Sequence, residues 1–187
     1  GFLSFASPPL RLRLAPTTPV IWVDTGYLHD ETYRYARTLT KLFQLNLQVY
    51  ESPIRPREME VRFGRLWESN DVKQLNLYDQ IRKVEPMQRA LRELGATGWI
   101  SGLRADQTEY RKSLPRIKRD QTRYRIYPLL SWSSRDVYYY TRKHKLPEHP
   151  LLARGYATVG DTHSRRPMSA TERHERETRN PGNKQDC

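Results

Sequence analysis

The feature that most constrains the fold is the order of three segments near the start of the chain. Residues 19–23 (PVIWV) form a continuous apolar run, which is typical of a strand buried in a parallel sheet. Residues 31–43 carry apolar side chains at helical spacing, and residues 45–50 alternate with the period of a strand. Strand, helix and strand in this order predict a βαβ unit, and therefore an α/β fold with a parallel sheet flanked by helices.

The pattern continues downstream. Residues 85–94 have an apolar stripe, a proline where the first helical turn tolerates one, and a glycine stop, so they predict a helix. Residues 97–101 predict a strand, and the capping-box spacing of Ser133 and Asp136 predicts a helix over 137–144. The sequence becomes rich in turn-forming residues after Pro147, and from Asp161 onward it is charged and almost without apolar residues. Such a tail cannot form its own core, so it is either disordered or folds over a ligand.

Composition narrows the class of protein. With 187 residues the chain suits one domain plus a tail, and 33 Lys and Arg against 21 Asp and Glu give a net charge of +12, which favours an anionic partner. The mean hydropathy of −0.88 and the absence of a long apolar stretch predict a protein without a membrane span. The first residues make a poor secretory signal, and the single cysteine, Cys187, cannot form an internal disulfide. We therefore expect a reducing compartment, the cytoplasm.

Polar residues follow the first predicted strand. In open α/β sheets ligands lie outside the carboxyl ends of the strands, so Asp24, Thr25, Gly26 and Tyr27 stand where a ligand would sit. The glycine allows a tight turn, and the aspartate and threonine offer polar atoms. The alternative is an ordinary strand-to-helix turn with a helix-capping aspartate.

Two further groups are candidate phosphate clamps. Arg82 and Lys83 precede a predicted helix start, where backbone amides and the helix dipole also favour an anion. Gly102, Arg104 and Arg111 follow the strand predicted over 97–101. Each cation, taken singly, is also explained as solvated surface charge.

A cysteine among cations forms a third candidate. Cys187 follows Arg176, Arg179 and Lys184, whose charges favour its thiolate, the form that attacks as a nucleophile.

Several motifs occur in the order found in one enzyme family. VDTGYLHDETY, YDQIRKVEPMQRAL, WISGLRADQTEYR, GYATVGDTHS and KQDC together resemble the assimilatory 3'-phosphoadenylyl-sulfate (PAPS) reductases over residues 19–187. The resemblance implies the adenine nucleotide α-hydrolase-like fold. It also implies that residues 24–27 bind the adenosine of the substrate, that Lys83, Arg176 and Arg179 grip its phosphosulfate, and that Cys187 is the nucleophile.

The resemblance further implies a mechanism and partners. The thiolate of Cys187 would attack the sulfuryl group, release adenosine 3',5'-bisphosphate and form S-sulfocysteine, from which thioredoxin or glutaredoxin would release sulfite. A homodimer is the common assembly in this family. No membrane or nucleic-acid partner is expected.

Relatives that reduce adenylyl sulfate instead hold an iron–sulfur cluster on four cysteines. The matching positions here are Tyr78, Asp79, Asp161 and Ser164, which cannot supply the four thiolates. The resemblance therefore implies an enzyme without a cluster or other metal cofactor, acting on the 3'-phosphorylated substrate.

The resemblance predicts three regions of the chain. Residues 1–18 are an atypical N-terminal segment that lacks the family's serine-rich phosphate loop, residues 19–160 are the nucleotide-binding domain, and residues 161–187 are a basic tail carrying the cysteine.

Two alternatives belong to other classes. One is a sulfurtransferase or ATP pyrophosphatase of the same fold, although the Ser-Gly-Gly-x-Asp-Ser loop of those enzymes has no match here. The other is a basic, non-catalytic nucleotide- or RNA-binding module that stacks bases on tyrosines such as Tyr138, Tyr139 and Tyr140. Consecutive residues of a helix point in different directions, so we expect these tyrosines to divide between core and surface.

Overall fold

A computed structural model of the chain describes residues 17–120, 122–156, 158–164 and 167. The chain divides into two compact units. The first contains the described residues of 15–95 and 149–167, and the second contains those of 96–148.

The helices and strands follow one another in α/β order. The first unit contains, in chain order, β1 (Val20–Asp24), α1 (Asp30–Phe43), β2 (Leu47–Glu51), α2 (Pro56–Phe63), a 3₁₀ turn (Leu66–Glu68), α3 (Val72–Asp79), a π turn (Gln80–Val84) and α4 (Glu85–Glu93). The second contains β3 (Gly98–Ile100), a 3₁₀ turn (Ala105–Gln107), α5 (Glu109–Lys112), β4 (Ile117–Asp120), β5 (Arg123–Ile126) and α6 (Ser134–Lys143). The short helix α7 (Pro150–Ala153) belongs again to the first unit.

The predicted βαβ unit is confirmed. Strands β1 and β2 pair in parallel, from Val20 opposite Leu47 to Asp24 opposite Glu51, and α1 is the connection between them. Helix α4 packs against both strands. The carboxyl ends of the two strands therefore lie at the same edge of this sheet, where β1 runs directly into the residues 24–27 that the sequence singles out.

Two buried clusters hold the first unit together. Trp22, Leu28 and Ala36 join the strand to α1, and Met59, Leu66 and Tyr78 join α2 to α3. Fully burying one large apolar side chain contributes about 1.5–3 kcal/mol, so these contacts dominate the local stability.

The helix predicted over 85–94 is present as α4 (Glu85–Glu93), but its first residue is not a free helix N-terminus. Helices α3 and α4 are continuous through the π turn, in which the backbone N–H of Glu85 donates to the carbonyl of Gln80, five residues earlier. Pro86 has no N–H, so it cannot supply the next α-helical bond to Arg82, which explains why the wider turn occurs at this point. The predicted helix N-terminus with free amides beside Arg82 and Lys83 is therefore wrong.

In the second unit β5 lies between β3 and β4, parallel to the first and antiparallel to the second. The predicted capping box is present at the start of α6, because Ser133 accepts from the backbone N–H of Asp136 and the Asp136 side chain accepts from Ser133. In the described residues no helix has the length and apolar character needed to cross a membrane. The predicted boundaries after residues 18 and 160 stay predictions.

Candidate active site

The turn after β1 begins with two buried residues and is held by hydrogen bonds to side chains. Asp24 is 7% exposed and Thr25 is fully buried. One oxygen of Asp24, Oδ1, accepts from the backbone N–H of Gly26 and from the hydroxyl of Tyr33, both at 2.8 Å. Burial and then the hydrogen bond to Asp24 raise the pKa of Tyr33, so this hydroxyl stays a donor. Helix α1 takes His29 as its N-cap, so the alternative of a helix-capping aspartate at 24 is wrong.

Tyr27 links this turn to α2. Its hydroxyl donates to Oε1 of Glu60 at 2.8 Å, and its ring meets that of Trp67 edge to face at 4.8 Å between centroids. Burial, followed by the hydrogen bond to Glu60, raises the pKa of Tyr27 to about 12. The residue therefore contributes a neutral aromatic wall to the site.

Arg82 is buried inside the first unit, with 1% of its surface exposed. Its Nη1 donates to the carbonyl of Ile54 at 2.7 Å, and its guanidinium lies 5.2 Å from the centroid of the Tyr27 ring. Within the described part of the chain its Nε and Nη2 have no hydrogen-bond partner. The predicted role of Arg82 in binding substrate stays a prediction, and its observed contacts fix the residues around the turn.

Lys83 is the more accessible of the two adjacent cations, with 35% of its side chain exposed. Its Nζ lies 2.7 Å from Oδ1 of Asp79, 3.9 Å from Oδ2 of Asp161 and 5.3 Å from the centroid of the Tyr78 ring. Three groups therefore hold the ammonium next to the turn.

Asp161 connects three segments. It is 5% exposed, its Oδ1 accepts from the hydroxyl of Thr25, and its Oδ2 accepts from the hydroxyl of Tyr78 at 2.9 Å. The Tyr78 oxygen also lies 3.0 Å from Nε2 of His163. Since the tyrosine donates to the carboxylate, it accepts from His163, which assigns the proton of that ring to Nε2.

The sequence did not assign a role to this network. It identified Tyr78, Asp79, Asp161 and Ser164 only as positions that lack the cluster cysteines. In the structure these four residues belong to one polar network. Within it the Ser164 hydroxyl donates to the carbonyl of Asp161 at 3.1 Å. The GYATVGDTHS motif, which spans the predicted boundary after residue 160, was the signal that could have pointed to it. In the residues that the structure describes, no group of three or more His, Cys, Asp and Glu could hold a metal ion.

Two histidines, one buried and one half-buried, predict an acid-sensitive stability. Burial is the main cause that lowers the pKa of both His149 and His163 below the ordinary value of about 6.5. The unfolded chain then binds more protons than the folded one on acidification, so stability is fully present above about pH 6.5 and falls at lower pH.

We expect the melting temperature to fall between about pH 7.5 and about pH 5.5, and to fall less in His163→Gln than in the wild-type protein. Thermal unfolding followed by circular dichroism at both pH values tests this. His144→Gln, which changes an exposed histidine, is the matched control. Identical pH dependence in wild type and His163→Gln would contradict the assignment.

The remaining described site residues lie in the second unit. Gly102 follows β3, and Arg104 pairs with Asp106 at 3.0 Å and donates to the Ser134 hydroxyl at 3.0 Å. Arg111, on α5, donates to the Gln107 side chain. The predicted role of these residues in binding substrate stays a prediction. Arg176, Arg179 and Cys187 lie outside the described residues.

The tyrosines of α6 differ from expectation. Tyr138 is 51% and Tyr139 is 57% exposed, and Tyr140 is half-buried, so none of the three lies in the core and the expected division between core and surface is wrong. Tyr138 and Tyr139 each have an arginine one helical turn away at 5.5 Å from the ring centroid, Arg142 for Tyr138 and Arg135 for Tyr139. These contacts within α6 explain how the rings are accommodated at the surface.

Comparison with known proteins agrees with the motifs. The family model described as "Phosphoadenosine phosphosulfate reductase domain" matches residues 4–167. A Synechococcus protein named phosphoadenosine 5'-phosphosulfate reductase is 55% identical over all of this chain and 81% of its own length. A protein of the same name from Xylella fastidiosa is 46% identical over 95% of this chain and 74% of its own.

Solved structures agree as well. The phosphate complex of PAPS reductase from Candida auris is 32% identical and covers 85% of this chain and 76% of its own, with a TM-score of 0.71. An FMN adenylyltransferase from Candida glabrata, 15% identical over 82% of this chain and 47% of its own, has a TM-score of 0.58, which reflects the fold alone. The predicted adenine nucleotide α-hydrolase-like fold is thereby confirmed. The chain belongs to the phosphoadenosine phosphosulfate reductase domain family.

Proposed function

We propose that this chain reduces 3'-phosphoadenylyl sulfate to sulfite and adenosine 3',5'-bisphosphate in assimilatory sulfate reduction. The observation that carries the proposal is the hydrogen-bonded Asp24–Tyr27 turn at the sheet edge near Lys83, with Asp24 and Thr25 buried and Gly26 exposed, in a chain of this family. That edge is where α/β folds of this kind bind nucleotides.

The reaction has two chemical steps. In the first, the Cys187 thiolate attacks the sulfur of the sulfuryl group, a sulfur–sulfur bond forms, and the bond to the 5'-phosphate oxygen breaks with its electron pair leaving on the bisphosphate. In the second, a thiolate of a thioredoxin- or glutaredoxin-type dithiol attacks the Cys187 sulfur, and sulfite leaves with the electron pair. The second thiol of the partner then frees Cys187, so the dithiol supplies the two electrons.

Cations neutralise the charges that meet in the first step. An incoming thiolate and an anionic leaving group repel one another, and preorganised positive groups lower this barrier. Lys83 lies at the turn, and Arg104, Arg111, Arg176 and Arg179 are the further candidates from the sequence. Residues 24–27 hold the adenosine.

No iron–sulfur cluster takes part in the proposed reaction. Tyr78 and Asp161 are hydrogen-bonded to each other and Asp79 is paired with Lys83, so these side chains are engaged in a polar network instead. We place the reaction in the cytoplasm, with a homodimer as the proposed assembly.

Intact-mass analysis of the protein incubated with 3'-phosphoadenylyl sulfate tests the proposal. We expect one sulfonate adduct per chain, which peptide mapping assigns to Cys187, the single cysteine of the chain, and which reduced thioredoxin removes with release of sulfite. Folded protein that forms no adduct would contradict the proposal. Tight, salt-sensitive RNA binding that adenosine 3',5'-bisphosphate does not compete would favour the binding-module alternative.

A further inference from the structure

Asp161 lies where a carboxylate is costly unless it is well compensated. Its side chain is 5% exposed, and the two hydroxyls that it accepts from belong to separate elements, Thr25 after β1 and Tyr78 in α3. Thr25 is fully buried and Tyr78 is 4% exposed, so both donors are themselves fixed by packing. Burial and the neighbouring Asp161 raise the pKa of Tyr78, which keeps its hydroxyl protonated and donating.

The same carboxylate faces the accessible cation of the turn. Oδ2 of Asp161 accepts from Tyr78 and lies 3.9 Å from Nζ of Lys83, whose other side is held by Asp79 at 2.7 Å. A free lysine side chain has many rotamers, and fixing it costs conformational entropy. The two carboxylates and the Tyr78 ring already restrict the Lys83 side chain before any ligand binds, so the position of its ammonium is preorganised.

Asp161 also fixes the backbone that follows the predicted domain. Asp161 forms an antiparallel bridge with Leu28, and the N–H of Thr162 donates to the carbonyl of Tyr27 at 2.8 Å. The segment of residues 158–164 is thus attached to the substrate turn by both backbone and side chain. In sequence this segment directly precedes the region that carries Cys187.

We propose that Asp161 is a positioning residue, which orients Lys83 toward the sulfonate end of the substrate and holds residues 158–164 against the Asp24–Tyr27 turn. The proposal rests on the function proposed above. Asp161 acts through Lys83 and the segment, without itself contacting the substrate. Its loss therefore affects the rate of sulfonate transfer more than the binding of the nucleotide.

Asp161→Asn tests this because it keeps the shape and removes the charge. A small misplacement of a catalytic group can cost about 100-fold in rate, so we expect single-turnover formation of the Cys187 sulfonate to slow by about 10- to 100-fold. Binding of adenosine 3',5'-bisphosphate, which lacks the sulfuryl group, should change by less than about threefold. Asp120→Asn, which removes a carboxylate paired with Arg125 in the second unit, is the matched control and should react at the wild-type rate.

A double-mutant cycle separates positioning from general destabilisation. The part of the Asp161 effect that runs through Lys83 disappears once Lys83 is replaced, so Asp161→Asn should slow the reaction less in the Lys83→Met background than in wild type. Fully multiplying effects, or a wild-type rate in Asp161→Asn, would overturn the proposal. Should Asp161→Asn fail to fold, Tyr78→Phe removes one hydroxyl from the network. This variant should also slow formation of the Cys187 sulfonate while leaving the affinity for adenosine 3',5'-bisphosphate nearly unchanged.

Hydrogen exchange provides a readout that does not depend on activity. In substrate-free Asp161→Asn the amides of residues 158–164, and that of Thr162 above all, should exchange at least about tenfold faster than in wild type. Unchanged exchange would overturn the attachment of the segment even in a protein that makes no sulfite. A wild-type protein without adduct but with faster exchange in the variant would contradict the proposed function alone.

Discussion

Replacing Cys187 by serine is expected to abolish sulfite formation, with a loss of about 10⁴-fold or more, because a neutral hydroxyl is a far weaker nucleophile than a thiolate. The chain has no second cysteine that could take over. Sulfite release with reduced thioredoxin and the intact-mass adduct measure the effect together.

The nucleotide site provides the control for this variant. In the proposed mechanism Cys187 acts on the sulfuryl group and residues 24–27 hold the adenosine, so binding of adenosine 3',5'-bisphosphate should be unchanged in Cys187→Ser. If the serine variant released sulfite at a rate near that of wild type, the nucleophile and the two-step mechanism would both be wrong.

The largest loss of stability from one added methyl group is expected at Gly26. Its φ of +74° lies in the left-handed region, and a Cβ there would stand 2.6 Å from Cγ of Pro56. The backbone conformation costs about 1–2 kcal/mol and the overpacking about 1–3 kcal/mol more. Pro56 begins α2 and its carbonyl oxygen lies 3.3 Å from the Tyr27 hydroxyl, so moving it would disturb the site as well. Urea unfolding of Gly26→Ala, together with nucleotide binding, measures both effects.

Gly95 is the matched control because its φ of +58° also lies in the left-handed region, while an added Cβ there meets no atom within 4 Å. Gly95→Ala should therefore lose only the backbone cost of about 1–2 kcal/mol and should keep nucleotide affinity. Equal losses of stability in the two variants would show that the contact with Pro56 contributes nothing.

Regular periodicity made the βαβ unit predictable. The apolar run at 19–23 and the helical stripe of α1 each depend on local spacing, and both appear at nearly the expected bounds, Val20–Asp24 and Asp30–Phe43. The residues of the turn could be named because a strand of this kind ends there. The capping box at Ser133 was likewise visible in the sequence, since its two partners are three residues apart.

The rest depends on contacts between residues far apart in the sequence. Asp161 meets Thr25 across 136 positions and Tyr78 across 83, and no local spacing reports such pairs. The continuity of α3 and α4 was missed for a different reason. Pro86 is compatible with a first helical turn, and the sequence offered no sign that a wider turn would carry the helix past it.

The π turn at Gln80–Val84 interrupts the regular α-helix and thereby sets the directions of the Arg82 and Lys83 side chains. It holds one residue more than an α-helical turn would, and that surplus sets Arg82 inward beneath Tyr27 while Lys83 stays partly exposed beside Asp79. Removing a single residue from this stretch would leave Pro86 unable to form a regular α-helical bond, and it would rotate every side chain upstream or downstream of it out of phase. A deletion in this segment should therefore displace Arg82 and Lys83 together, whereas a substitution changes one side chain and leaves the others in register.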